Sequence, residues 1–70
     1  MKLSKAMQEH LTWCADMQRA GMVMLGCTNY ENRMTHEALV RRGLLSYTDG
    51  HTRVTSEGEA EAAKITAKSA

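Results

Sequence analysis

Arg41-Arg42-Gly43-Leu44-Leu45-Ser46-Tyr47-Thr48-Asp49-Gly50-His51-Thr52-Arg53-Val54-Thr55-Ser56-Glu57-Gly58 is the stretch on which the fold turns. Asp49-Gly50 tolerates the positive φ angles of a tight hairpin turn, and it lies between two short strand-like runs, residues 44–47 and 51–54. Gly43 is placed to stop a helix arriving from upstream. Thr55 can cap a helix leaving downstream, with Glu57, Glu59 and Glu61 near its positive end and Lys64 and Lys68 toward its negative end. The order predicted is helix, hairpin, helix.

Upstream, Thr28-Asn29-Tyr30-Glu31 has the pattern of a capping box and opens a helix over about residues 29–42. Winding it at about 100° per residue turns Tyr30, Met34, Ala38 and Leu39 inward and Asn29, Arg33, His36 and Val40 outward. Further back, Ser4 can cap a helix over about residues 4–19, whose buried stripe is Met7, Leu11, Cys14 and Met17 and which Gly21 ends. The apolar run 22–25, bounded by Gly21 and Gly26, is too short for a helix and predicts a small strand. Downstream, the last helix covers about residues 56–66, with Ala62 and Ile65 as a narrow apolar edge and Gly58 allowing close approach; fraying is expected after Thr66.

Seventy residues make one domain. A chain of this size buries about 60% of the surface its unfolded form exposes, so the core must be compact. With 43% apolar and 24% charged residues, the chain has the composition of a folded domain and not of a disordered one. The net charge of +1 excludes a strong overall positive field. Cys14 and Cys27 have neither the paired spacing of a zinc site nor the density of a disulfide scaffold, so reduced, partly buried thiols in a cytoplasmic protein are expected. No apolar run is long enough for a membrane span and no signal-peptide core is seen, so no membrane role is expected.

The segment Arg41-Arg42-Gly43-Leu44-Leu45, then Asp49-Gly50, then Val54-Thr55-Ser56-Glu57-Gly58 with its alanine-rich tail, resembles the second half of winged-helix proteins such as the multiple-antibiotic-resistance-regulator family. The resemblance covers roughly residues 28–66 and implies a recognition helix, a wing hairpin and a following helix. It implies an α+β winged helix-turn-helix-like domain: three helices, a hairpin wing and a short extra strand. The first half departs from those regulators and looks more like the very short winged-helix proteins of phages and prophages, which implies a small transcriptional regulator acting on double-stranded DNA.

On that reading Asn29, Asn32, Arg33 and His36 would meet base edges, while Arg41, Arg42, His51 and Arg53 would meet phosphates or a minor groove. The competing observation is that residues 28–55 carry four basic and three acidic side chains, a balance an ordinary solvated face also has. The alternative is a protein-interaction module, a homodimer or a phage-type inhibitor docking on a host protein, using Trp13, Val40 and the acidic Glu57, Glu59 and Glu61. Trp13 itself is expected to fill the core, with an exposed anchor as the other reading. His10, His36 and His51 lie on three different elements with no nucleophile motif beside them, so no catalytic site, metal site or cofactor is expected.

Overall fold

The computed structural model describes residues 3–22, 24–25 and 30–69. Three helices and three strands follow in the order α1 Lys5–Arg19, β1 Met24–Leu25, α2 Tyr30–Arg41, β2 Leu45–Thr48, β3 His51–Val54 and α3 Ser56–Ser69. The domain is therefore a small α+β structure with a two-stranded antiparallel hairpin, to which β1 adds a third strand. Cys27, Asn29 and the Thr28 end of the expected capping box lie outside the described residues. The last helix runs on to Ser69 instead of fraying after Thr66, and within the run 22–25 β1 is Met24–Leu25, with Val23 outside the described residues.

Local chemistry explains most of the boundaries. The Ser4 hydroxyl accepts a bond from the Met7 amide at 3.2 Å and opens α1. Both α1 and α2 end in the same way: the amides of Gly21 and Gly43 donate to the carbonyls of Gln18 and Val40. The amides of Met22 and Leu44 donate back five residues, to Met17 and Leu39. This pattern of closing bonds needs a left-handed residue, and the two glycines sit at φ 79° and 77°. In the hairpin, Asp49 and Gly50 have φ of 54° and 76°, the two positive angles of a turn matched to strand twist.

The sheet is antiparallel throughout, in the order β1-β3-β2. Leu45 pairs with Val54, Ser46 with Arg53, Tyr47 with Thr52 and Thr48 with His51. Directly opposed residues share a face, so Leu45, Tyr47, Thr52 and Val54 form the inner face. Ser46, Thr48, His51 and Arg53 form the outer one. The core gathers Leu11, Cys14 and Ala15 of α1, Leu39 of α2, Leu44 and Leu45, Val54 and Ala62 of α3, with Leu3 closing one side. Met7, Met17, Val40 and Ile65 pack around it.

Two polar side chains join the elements. Gln18 reaches from α1 to β3, its Oε1 accepting from the Val54 amide at 2.8 Å and its Nε2 donating to Glu59 Oε1 at 3.3 Å. Thr55 Oγ1 donates to the Gly43 carbonyl at 2.6 Å and accepts from the Gly58 amide at 3.0 Å, tying the end of α2 to the start of α3.

The inward face of α2 differs from the one expected. His36 is only 8% exposed, Leu39 is fully buried, and Val40 packs on the core, whereas Met34 is 81% exposed. Taking Leu39 as the centre of the buried face puts His36 about 60° and Met34 about 140° away, at about 100° per residue. Apolarity alone placed Met34 inside and His36 outside, and both placements are corrected; Val40 is likewise turned inward. Trp13, expected to fill the core, is 54% exposed.

Candidate functional site

The hairpin and the C-terminal end of α2 carry most of the expected nucleic-acid contacts. His51 and Arg53 project from the outer face of β3, exposed to solvent, beside Ser46 and Thr48 on β2. The four side chains of this face are hydroxyl, imidazole and guanidinium groups, with the exposed carboxylate of Asp49 in the adjoining turn. Arg41 and Arg42 are also exposed, one turn before the hairpin begins, and Arg42 Nη1 donates to the Ala38 carbonyl at 3.2 Å. No ion pair to Arg41 or Arg53 is found among the described residues.

The expected base-reading positions fare differently. Arg33 is exposed, but its Nε lies 3.4 Å from Glu37 Oε1 in an i,i+4 pair. A surface pair of this kind holds the guanidinium loosely, by about 0.5 kcal/mol, so contact with another acceptor costs little. His36 is a correction. Its ring is enclosed, and both nitrogens are within reach of protein partners, so it cannot reach a base edge. Asn29 lies outside the described residues, as does the side chain of Asn32.

Of the residues set down for protein docking, Trp13 and Glu57 are exposed. Glu59 is engaged by Gln18 and by Arg19, 3.7 Å away, and Val40 is taken up by the core. Glu61 is half-buried.

What the residue pattern did not foretell is a row of rings crossing three elements. Trp13 stacks on His10, with centroids 6.2 Å apart and planes at 19°. His10 meets His36 edge-on at 5.6 Å, and His36 meets Tyr47 edge-on at 6.4 Å. Within the row, His10 Nε2 lies 3.3 Å from His36 Nδ1, and His36 Nε2 lies 3.3 Å from the buried Thr52 Oγ1. The Cys14 thiol, fully buried, stands 3.8 Å from His10 Nε2.

Burial holds both histidines below their ordinary value of 6.5. For His10 the neighbouring His36 lowers it further, while for His36 the carboxylate of Glu37 works in the opposite direction. Both rings are therefore neutral at neutral pH. A signal for this contact existed: His10 precedes Cys14 by one helical turn, and His36 precedes Leu39 by three residues, so each adjoins a core position.

A hollow of about 330 Å³ opens beside the row, lined by Ala6, Glu9, His10 and Trp13 of α1. Among the described residues no group of three histidine, cysteine or acidic side chains is arranged to hold a metal ion. None of the helices among them is long and apolar enough to cross a membrane. No protein-family model, curated protein or solved structure matches the chain.

Proposed function

We propose that the chain is a winged-helix-type module that binds double-stranded DNA, with the hairpin as wing and α2 beside it. The observation that carries the reading is the outer face of the hairpin. Ser46, Thr48, His51 and Arg53 offer hydrogen-bond donors suited to phosphate oxygens on one face of the hairpin, and Arg41 and Arg42 lie close by in sequence. The element order and the strand order β1-β3-β2 support it, because they set a helix directly ahead of a hairpin whose second strand is central. Regulation of transcription is the role that follows from the resemblance to short phage proteins.

Two features shape the mode of binding. Among the described residues, α1 and α2 are the two helices ahead of the hairpin, and they would serve as the helix pair. With His36 enclosed, most available contacts are to phosphate, which positions a protein on a duplex without reading its sequence. Binding should therefore be strongly salt-dependent and only weakly sequence-selective.

A salt titration of duplex binding tests this. Each phosphate contact contributes about 0.9 to the slope of log K against log salt. Arg53→Ala and Arg41→Ala should each weaken binding and reduce the slope by about 1. Failure to shift any duplex at low salt would remove the reading.

A second reading, docking on a protein, is favoured by the exposure of Trp13, Met22, Met34 and Tyr47. Under it, association would be nearly insensitive to salt and would weaken in Trp13→Ala, while Arg53→Ala would bind as the wild type does.

A further inference from the structure

We infer that the His10–His36 contact is a protonation latch that holds α2 and β3 against α1 and opens when both rings are charged. Its geometry is that of a shared proton. His10 Nε2 and His36 Nδ1 face one another at 3.3 Å. A hydrogen bond between them needs one nitrogen to carry hydrogen and the other a free lone pair. In the neutral pair this holds whichever ring donates. On the far side, His36 Nε2 can donate to Thr52 Oγ1 or accept from it, because a hydroxyl serves in either role.

One added proton leaves the link intact, since an imidazolium can donate to a neutral imidazole. The second proton places two N–H groups head to head with no acceptor between them, and it sets two like charges in a partly buried site. The contact must then break. The proton balance is simple: the closed state carries one hydrogen between the facing nitrogens, and opening by acid takes up two protons from solvent.

The surroundings offset a double charge only in part, since burial outweighs the nearby carboxylates and holds both rings below their ordinary value. On α1 the nearby groups are the Cys14 thiol and Glu9, which shares the wall of the hollow with His10. On α2 Glu37 favours a charged His36, and β2 offers the Tyr47 ring. From β3 comes only the uncharged Thr52. The α3 carboxylate nearest to α1 in the hydrogen-bond pattern, Glu59, is held by Gln18 and Arg19, two turns along from His10.

The latch spans the whole domain. His36 joins α2 to His10 on α1 and to Thr52 on β3, and Thr52 stands between His51 and Arg53 on the opposite face of the strand. Opening it would remove the polar link from α2 to α1 and change the surroundings of the Trp13 ring that lies against His10, while the Gln18–Val54 bond still ties β3 to α1. None of this depends on what the hairpin binds.

The sign follows from the direction in which both rings are displaced. An unfolded chain takes up protons as pH falls through 6.5, before the folded one does, so stability is full above 6.5 and is lost as pH falls toward the lower folded values. Each unit of displacement corresponds to about a tenfold change in the equilibrium between closed and open forms.

An NMR titration of the wild-type imidazoles from about pH 8 to about pH 5, through the range where histidine charges, is the direct test. The expected result is two coupled steps below 6.5 for His10 and His36, with the amides of Thr52 and its neighbours moving in the second step. Emission of Trp13, the one tryptophan in the chain, should change in that same step. In His10→Gln the His36 ring should titrate in a single step, and the urea midpoint should fall less across the acid range than in wild type. Independent single-step titrations of the two rings would overturn the latch. So would a His10→Gln protein that loses stability in acid as steeply as wild type. Should that variant fail to fold, the wild-type titration decides alone.

Discussion

Gly58→Ala is expected to destabilise the domain, although a helical glycine replaced by alanine ordinarily gains stability. Gly58 lies in the first turn of α3, and a Cβ built there falls deep inside contact with the Leu44 carbonyl oxygen, 3.0 Å from the Leu44 carbonyl carbon and 2.8 Å from Val54 Cγ1. Leu44 cannot easily give way. Its amide donates to the Leu39 carbonyl at 3.1 Å, and its own carbonyl accepts from the Thr55 amide at 3.1 Å, so the clashing backbone is fixed at both ends. Relief therefore requires α3 to move off the hairpin, loosening Ala62 in the core.

The two opposing effects can be set against each other. Alanine in place of glycine contributes about 1 kcal/mol of helix propensity. Overpacking a close contact costs about 1–3 kcal/mol and more where backbone must shift, as it must here. The steric effect wins, and a net loss of about 2 kcal/mol is expected. For a domain of this size about 1 kcal/mol moves Tm by roughly 4–8 °C, so Tm should fall by roughly 8–16 °C. Thermal unfolding followed by circular dichroism reads this out. Ala60→Gly, at an exposed position of the same helix, isolates the propensity contribution and should cost about 1 kcal/mol. A Gly58→Ala protein melting at or above the wild-type temperature would refute the close approach of α3 to Leu44.

Two polar ties give further tests. Thr55→Ala removes the acceptor of the Gly58 amide and the donor to the Gly43 carbonyl, and should cost about 1–2 kcal/mol in urea unfolding, with Thr55→Ser restoring most of the loss. Gln18→Ala leaves the Val54 amide without its acceptor; a loss of about 1–3 kcal/mol and faster hydrogen exchange at Val54 are expected, and unchanged exchange would count against the link between α1 and β3.

The proposed wing and the proposed latch lie on opposite faces of one strand. Alternation along β3 sends His51 and Arg53 to the solvent and Thr52 and Val54 to the interior. A charged, hydrogen-bonding edge and a buried polar link can therefore be built from four consecutive residues without competing for space. Duplex binding and acid sensitivity are separable for the same reason. Arg53→Ala leaves the inner face untouched, and His10→Gln leaves the outer face untouched.

Much of the architecture was legible because it rests on chemistry confined to a few neighbouring residues. Ser4 and Thr55 as caps, Gly21 and Gly43 as helix ends, and Asp49-Gly50 as the hairpin turn each follow from what one side chain or its absence permits at one φ angle. The core stripe of α1 was readable for a related reason, since Leu11 and Cys14 are apolar positions at helical spacing and are buried as expected. His51 and Arg53, expected on the hairpin as possible phosphate contacts, are both exposed, and the alternation of β3 places them on one face.

The orientation of α2 was decided elsewhere. Apolar ranking favours burying Met34 over His36, yet the side buried is set by Leu39 and by the partners waiting across the interface. His10 on α1 and Thr52 on β3 supply the hydrogen bonds that let an imidazole leave water, while Met34, about 140° around the helix from Leu39, is left at the surface. Those partners lie 26 and 16 residues away along the chain. Caps, turns and alternation are properties of adjacent residues, so the sequence by itself determined them. Which polar side chain could be buried depended on groups brought together only by packing, and the tertiary structure alone decided it.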